Sequence, residues 1–361
     1  MILDKSFTNE WLEEKRREMK CDKILLERAT RALQLLELIA RSGAEFTFKG
    51  GTSIMLLTEE FSRLSIDLDI VVNPGVNLIP IFEAITQVDR HRFTGYEEDI
   101  RNRPETQPFR HYKFYFNSVN PTQRNSYVLL DVLYEEPLHA EYVSKNIQCS
   151  AILTENPMIP VTMPTVDALL GDKLTAFAPT TTGILFGSNK EMEICKQLFD
   201  IATLFNHHTS TRIVEHTFNR IALTEAGYRK LHHLSPKDVL IDALRTSIII
   251  GARGRLDPER FDELERGRRR AGAYVLGQSY TFPRFLRDAS KVAYLSASLL
   301  KNKVASSRWT TEEEVLTTTS DRRFSFINKL RKISPEAYYY FNRAVDSLEE
   351  DQSIISEIFR L

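Results

Sequence analysis

FKGGTSIMLLTEEFSRLSIDLDIVV, running from Phe48 to Val72, changes its pattern twice within one short stretch. EFTFKGG reads as a short strand closed by two glycines, Gly50 and Gly51. TSIMLLTEE then reads as the first turns of a helix, with Thr52 or Ser53 near its N-cap, because short hydroxyl side chains satisfy the unpaired N–H groups of a first turn. SIDLDIVV alternates strictly and is rich in β-branched residues, which predicts a strand. Side chains two apart on a strand share a face. Asp67 and Asp69 therefore point one way, and Ile66, Leu68 and Ile70 the other.

Two neighbouring carboxylates repel each other and are costly to desolvate without compensating positive charge. A divalent ion supplies that charge, and Mg²⁺ (or Mn²⁺ in its place) takes a few carboxylates together with substrate phosphates. VLLDVLYEE adds a third candidate, Asp131, an aspartate among strand-forming apolar residues. Beside the first strand it would serve either as a third metal ligand or as the base that draws a proton from an attacking hydroxyl. The glycines provide the complementary half. A Gly-Gly turn opening a helix lets backbone N–H groups approach a phosphate, and the helix N-terminus favours negative charge. Thr52 and Ser53 are expected to add hydroxyl donors. Ser65 is expected on the aspartate face, within reach of a metal ligand, and Arg63 on a phosphate, on Asp67 or at the sheet edge. A Gly-Gly pair alone is usually a turn, and Asp-x-Asp alone is usually a solvated strand face. The combination is the specific signal.

GGTSIMLL followed by RLSIDLDIVV resembles the AbiEii/AbiGii-type nucleotidyltransferases, toxin components of bacterial toxin–antitoxin and phage-defence systems within the DNA polymerase beta-like superfamily. Two later stretches extend the likeness. LLGDKLTAFA resembles the family helix whose lysine, here Lys173, reaches the nucleotide phosphates, and KQLFDIATL resembles the next, with Lys196 and Asp200. Asp172 stands where glutamate is common and Gln197 where an acidic residue is common. Read from the residues alone, Lys173 either snorkels to solvent from its apolar helix or meets a phosphate, and Asp200 is either a helix-surface acid or a partner of Lys196. The resemblance implies a nucleoside triphosphate substrate, a tRNA 3′ end as acceptor, and an antitoxin encoded alongside. Two other acceptors share the chemistry, a protein hydroxyl and an aminoglycoside-like small molecule. A non-catalytic nucleotide- or partner-binding module is the remaining alternative, and the intact aspartate pair argues against it.

The rest of the chain divides by pattern. Asn9–Ile39 is predicted helical, LIPIFEAITQVD helical, and FRHYKFYFNSV and SYVLLDVLYEE two further strands joined by a turn at NPTQRN. From Val166 onward helices dominate: Val166–Ala178, Lys190–Phe205, Thr211–Ala226, Pro236–Ile250, Pro258–Tyr274, Phe282–Lys301 and Pro335–Ser347. The predicted fold is α+β: a nucleotidyltransferase-like mixed sheet with flanking helices over residues 1–164, then a helical domain over 165–361 that completes the nucleotide site and binds acceptor or partner.

The 361 residues are 42% hydrophobic and 27% charged, enough for sizeable cores. The net charge is −1, so contact with nucleic acid requires a local basic patch and not a global field. Arg266, Arg268, Arg269 and Arg270 are a candidate for such a patch, with a solvated helix face as the plainer reading. His207 and His208 are expected at the surface. Cys21, Cys149 and Cys195 have neither zinc-site nor disulfide spacing, and no apolar run suits a membrane span. The expected setting is the cytoplasm.

Overall fold

The apolar stripe of Asn9–Ile39 is carried by two helices and not by one. The first, α1 (Asn9–Met19), ends at Lys20, whose backbone is left-handed at φ 49° and ψ 58°. The second, α2 (Lys23–Arg41), starts at Asp22, whose carboxylate accepts from the N–H groups of Ile24 and Leu25, both at 2.9 Å. An N-capping aspartate two residues after a left-handed residue resets the helix, and a hydrophobic period alone does not register that break.

The computed structural model describes residues 1–58, 61–88, 91–100, 108–120, 123, 125–277, 279–310, 321–348 and 351–359. Of the turn expected at NPTQRN, positions 121, 122 and 124 fall outside them. The chain divides into two compact units: Met1–Thr165 with Ala273–Ser279, and Val166–Gly272 with Tyr280–Leu361. The segment Ala273–Ser279, placed by sequence in the second domain, therefore belongs to the first unit.

In the first unit, β1 (Thr47–Lys49) leads directly into α3 (Gly50–Leu57), followed by β2 (Asp67–Val72), α4 (Ile79–Val88), β3 (Gly95–Glu98), β4 (Phe109–Asn117) and β5 (Asn125–Tyr134). The strands form a sheet in the order β1-β2-β5-β4-β3. β2 and β5 are parallel and the other pairs antiparallel, so the sheet is mixed, as the α+β reading expects. A separate hairpin pairs β6 (Tyr142–Asn146) with β7 (Pro160–Pro164). Alternation sorts the faces. Leu68, Ile70, Leu130, Val132 and Phe114 are buried in one core with Leu26, Ala29, Leu33 and Leu36 of α2. The opposite face carries the polar residues.

In the second unit the described helices are α5 (Val166–Ala176), α6 (Glu191–His207), α7 (Thr211–Tyr228), α8 (Pro236–Ala252), α9 (Pro258–Ala271), α10 (Phe282–Leu300), α11 (Pro335–Leu348) and α12 (Gln352–Ile358). α10 is its centre: Asp288 through Leu299 are all buried, and the helix packs on α6, α8 and α11.

Candidate active site

The register of the sheet assembles one polar row. Lys49 on β1 faces Asp69 on β2, Asp69 faces Asp131 on β5, and Asp131 faces His111 on β4. Register partners in adjacent strands project to the same side, so these four side chains share a face. Asp67 lies two residues before Asp69 on that face, beside Leu129, which in turn faces Lys113. His111 Nδ1 is hydrogen-bonded to Asp131 Oδ1, with side-chain exposures of 19% and 30%. In the sequence His111 stands with Arg110 and Lys113 among aromatics, a weak signal for nucleic-acid contact and none for the aspartates. The alternation of His111 and Lys113 with Tyr112 and Phe114 was the available signal.

Gly50 and Gly51 meet this row from the other side. Gly50 has φ +80°, and a Cβ there would fall 1.8 Å from Asp69 Oδ2. A Cβ on Gly51 would fall 2.7 Å from both Arg63 Nη2 and Ser65 Oγ. The glycines are thus required by the side chains packed on them, and Asp69 is seated against the opening of α3. The helix begins at Gly50 with Lys49 as its N-cap, and the Lys49 side chain makes no capping hydrogen bond. The first N–H groups of the helix and its dipole offer partial positive charge where α3 opens.

Thr52 and Ser53 behave differently from expectation. Both are fully buried. Thr52 Oγ1 donates to Asp67 O, and Ser53 Oγ donates to Gly50 O at 2.8 Å. The Thr52 hydroxyl therefore fastens the turn to β2, and the Ser53 hydroxyl closes back on the first turn of α3. Arg63 and Ser65 precede the strand, which starts at Asp67, and both are buried. Arg63 Nη1 donates to Leu64 O at 2.9 Å. The returning segment pins this stretch: Arg63 bridges Val275, Leu64 N donates to Tyr274 O at 2.8 Å, and Leu276 N donates to Ser62 O at 2.9 Å.

Against this geometry stands the comparison with known families. Residues 34–273 match the model described as nucleotidyl transferase AbiEii toxin, type IV toxin–antitoxin system. The chain belongs to the AbiEii nucleotidyltransferase toxin family. Among solved structures it is similar to MenT4, a nucleotidyltransferase toxin from Mycobacterium tuberculosis, at 16% identity and a TM-score of 0.44, covering 88% of this chain and 92% of that one. It is also similar to an antigenic nucleotidyltransferase-like protein from Paracoccidioides brasiliensis, at 11% identity and a TM-score of 0.34, covering 57% and 94%. At these scores the likenesses carry no argument of their own. A search of curated proteins returned no match.

As an AbiEii member the chain is a toxin nucleotidyltransferase with a nucleoside triphosphate substrate and an antitoxin counterpart. No helix among the described residues is long and apolar enough to cross a membrane. Enzymes of this kind generally use divalent metals. No group of three or more His, Cys, Asp or Glu side chains among the described residues stands ready to hold one. The donor chemistry nevertheless fits Mg²⁺. Asp67 and Asp69 are hard oxygen donors on one face, and Mg²⁺ binds through one or two carboxylates plus substrate phosphates more often than in an all-protein cage. Asp131 already has one oxygen engaged by His111.

The remaining predicted residues lie in the second unit. Lys173 on α5 does not snorkel: it is buried, 3.1 Å from Asp200 Oδ2 and 3.0 Å from Gln197 Oε1. Asp200 is 2% exposed, so it is a buried partner of Lys173 and not a helix-surface acid. Gln197, the departure from the family pattern, holds the same ammonium. Lys196 is half-buried one residue before it. His208 is buried, not at the surface: Nε2 meets Ala305 O at 3.0 Å and Nδ1 meets Phe205 O at 2.7 Å. A cavity of about 460 Å³ lined by Ala40, Phe46, Thr47, Val71 and Val161 contains none of the candidate residues.

Proposed function

We propose that this chain transfers a nucleoside monophosphate from a nucleoside triphosphate to the 3′ end of tRNA, in a metal-dependent reaction that arrests growth until an antitoxin intervenes, as in toxin–antitoxin or phage-defence systems. The observation that carries the site assignment is the seating of Asp69 against Gly50, which brings a carboxylate to the opening of a helix.

Asp67 and Asp69 would hold Mg²⁺, which when bound neutralises phosphate charge. The backbone N–H groups of Gly50, Gly51, Thr52 and Ser53 bind triphosphate oxygens, reinforced by the dipole of α3. Lys173 offers further positive charge to the triphosphate, and Asp200 and Gln197 hold its ammonium in place. Lys196, Arg63 and Ser65 support the same phosphates or the residues that bind them. Asp131 draws the proton from the acceptor hydroxyl, with His111 fixing one of its oxygens. That hydroxyl oxygen bonds to the α-phosphorus, the bond from the α-phosphorus to the bridging oxygen breaks, and pyrophosphate leaves with the electron pair. Catalysis on this reading is mostly positioning and charge stabilisation.

The test supplies four separately labelled nucleoside triphosphates with Mg²⁺ to total RNA and total protein. The wild type should label tRNA from a preferred triphosphate, and Asp67→Ala/Asp69→Ala should label nothing. Label on protein alone, or on neither, would overturn the tRNA assignment.

A further inference from the structure

The arginine run of α9 makes a poor RNA platform. Arg268 and Arg269 reach Glu265 at 2.5 and 3.1 Å, and Arg270 reaches Glu191 at 2.8 Å. The charge in that run is compensated locally. A different part of the same unit is basic beyond its own ion pairs, which join Lys291 to Glu336, Lys301 to Asp351 and Arg323 to Asp321. From Arg284 to Arg343 the sequence carries twelve Lys and Arg against six Asp and Glu, in a chain whose net charge is −1. Charge this uneven in a near-neutral protein marks a local surface for a polyanion.

Within that region Arg308 and Arg284 sit over aromatic rings, and Arg287 lies one turn along α10 from Arg284. Arg308 lies 4.8 Å from the centroid of Phe205. Among the described residues its guanidinium donates to neutral groups, at 3.1 Å to the carbonyls of Ala305 and Ser307 and at 3.0 Å to His208. Arg284 lies 4.6 Å from the centroid of Phe199, and its Nε is buried with no hydrogen-bond partner among the described residues. Arg287 has only loose acidic neighbours, Asp288 at 3.5 Å and Glu336 at 3.8 Å. Glu336 is in turn taken up by Lys291 at 2.7 Å, so little of its charge is left for Arg287. Asp288 is 3% exposed, and its field is shared with Arg284 and Lys291.

The same patch offers an exposed ring. Trp309 is 36% exposed, and its backbone N–H is fixed at 3.1 Å on the hydroxyl of Tyr340. Tyr340 packs on Phe205 at 5.5 Å and lies beneath Lys291. The cations and the tryptophan are therefore parts of one packed surface, formed by α6, α10, α11 and the segment before Trp309. Arginines over rings with an exposed tryptophan beside them are what single-stranded nucleic acid requires: charge for the backbone and a flat face for a base.

We propose that this surface of the second unit, built on Arg284, Arg287, Arg308 and Trp309, binds a single-stranded end of the acceptor RNA. The inference rests on the RNA reading above and adds a surface remote in sequence from every motif residue.

The experiment measures equilibrium binding of tRNA without nucleotide across a salt series, and labelled transfer to tRNA with KM and kcat separated. The variants are Arg287→Gln, Arg284→Gln/Arg287→Gln and Trp309→Ala. Arg308→Lys keeps the charge while losing the planar stack. Melting temperature and triphosphate binding are read in parallel, and the solvent-facing Arg287→Gln and Trp309→Ala remain interpretable if a variant at Arg284 or Arg308 fails to fold. Each lost arginine should flatten the plot of log affinity against log salt by about 0.7, and Trp309→Ala should weaken binding by about 10-fold. The RNA KM should rise, with kcat and triphosphate binding near wild type. Variants that leave RNA binding and the RNA KM unchanged, while the wild type still labels tRNA, would overturn the surface and leave the function standing. A wild type that neither binds nor labels RNA would overturn both. A protein captured through these same residues, with RNA unaffected, would assign the surface to the antitoxin instead.

Discussion

A methyl group on Gly50 would fall 1.8 Å from Asp69 Oδ2, and its φ of +80° is one that L side chains rarely adopt. Gly50→Ala therefore strains the turn and displaces the carboxylate together. The variant should lose transfer activity by about 100-fold or more, the scale on which small misplacements of reacting groups act. Its melting temperature should fall only modestly, since strain at one such residue is worth about 1–3 kcal/mol. A labelled-transfer assay beside a thermal melt checks both; full activity would mean that the seat of Asp69 has no catalytic consequence. At this scale the placement of the aspartates was legible. Alternation alone put Asp67 and Asp69 on one face, and the sheet agrees. The glycines were read as room for a phosphate, whereas part of that room is filled by Asp69, Arg63 and Ser65. Sequence spacing does not carry such cross-strand packing. The hydroxyls of Thr52 and Ser53 were misread for the same reason, because their acceptors are a carbonyl fifteen residues away and one on the preceding turn.

Elements hold the second group of residues. α5 and α6 bring Lys173 to Asp200, a pair at 3.1 Å with side-chain exposures of 9% and 2%. Removing one member of a buried pair typically costs about 3–5 kcal/mol, whereas replacing both with apolar residues is often neutral. Lys173→Met should thus lower stability sharply, and Lys173→Met/Asp200→Leu should recover most of it. If Lys173 serves the triphosphate, the double variant stays inactive despite its restored melting temperature. Activity returning with stability would reduce the pair to a structural role.

His208 closes the end of α6 against Ala305, and burial holds its imidazole below the ordinary value of 6.5. A depressed pKa means that the folded chain keeps the ring neutral while the unfolded chain takes up a proton near 6.5. This contribution to stability is present above that pH and is lost as pH falls through the folded value. Thermal melts from pH 7.5 down to 5.5 should decline more steeply for wild type than for His208→Gln; parallel slopes would sink the assignment. In this unit α5 to α11 were legible from their period and α12 was not read; the existence of β2, β4 and β5 was legible too. The break at Lys20–Asp22 and the return of Ala273–Ser279 to Arg63 were not, because a cap is a local choice and the return is a contact between residues far apart in sequence.

For the whole chain, a net charge of −1 gives no general attraction for a triphosphate, and the paired aspartates repel one locally. Nucleotide binding should therefore depend on the cation that joins the two. Each structural unit is of a size for which 1 kcal/mol shifts a melting transition by about 2–4 °C. A triphosphate at a hundred times its Kd stabilises by about 2.7 kcal/mol, so the first unit's transition should rise by about 5–10 °C with triphosphate and Mg²⁺ together. Triphosphate with EDTA should give little rise, and Mg²⁺ alone little. In Asp67→Ala/Asp69→Ala the repulsion is gone along with the metal ligands, so any remaining shift should no longer respond to Mg²⁺. That loss of metal response separates the two roles of the carboxylates. A variant that still needs Mg²⁺ for its full shift would place the metal on other residues, while a wild type whose shift ignores EDTA would leave Asp67 and Asp69 without the cation their proximity calls for.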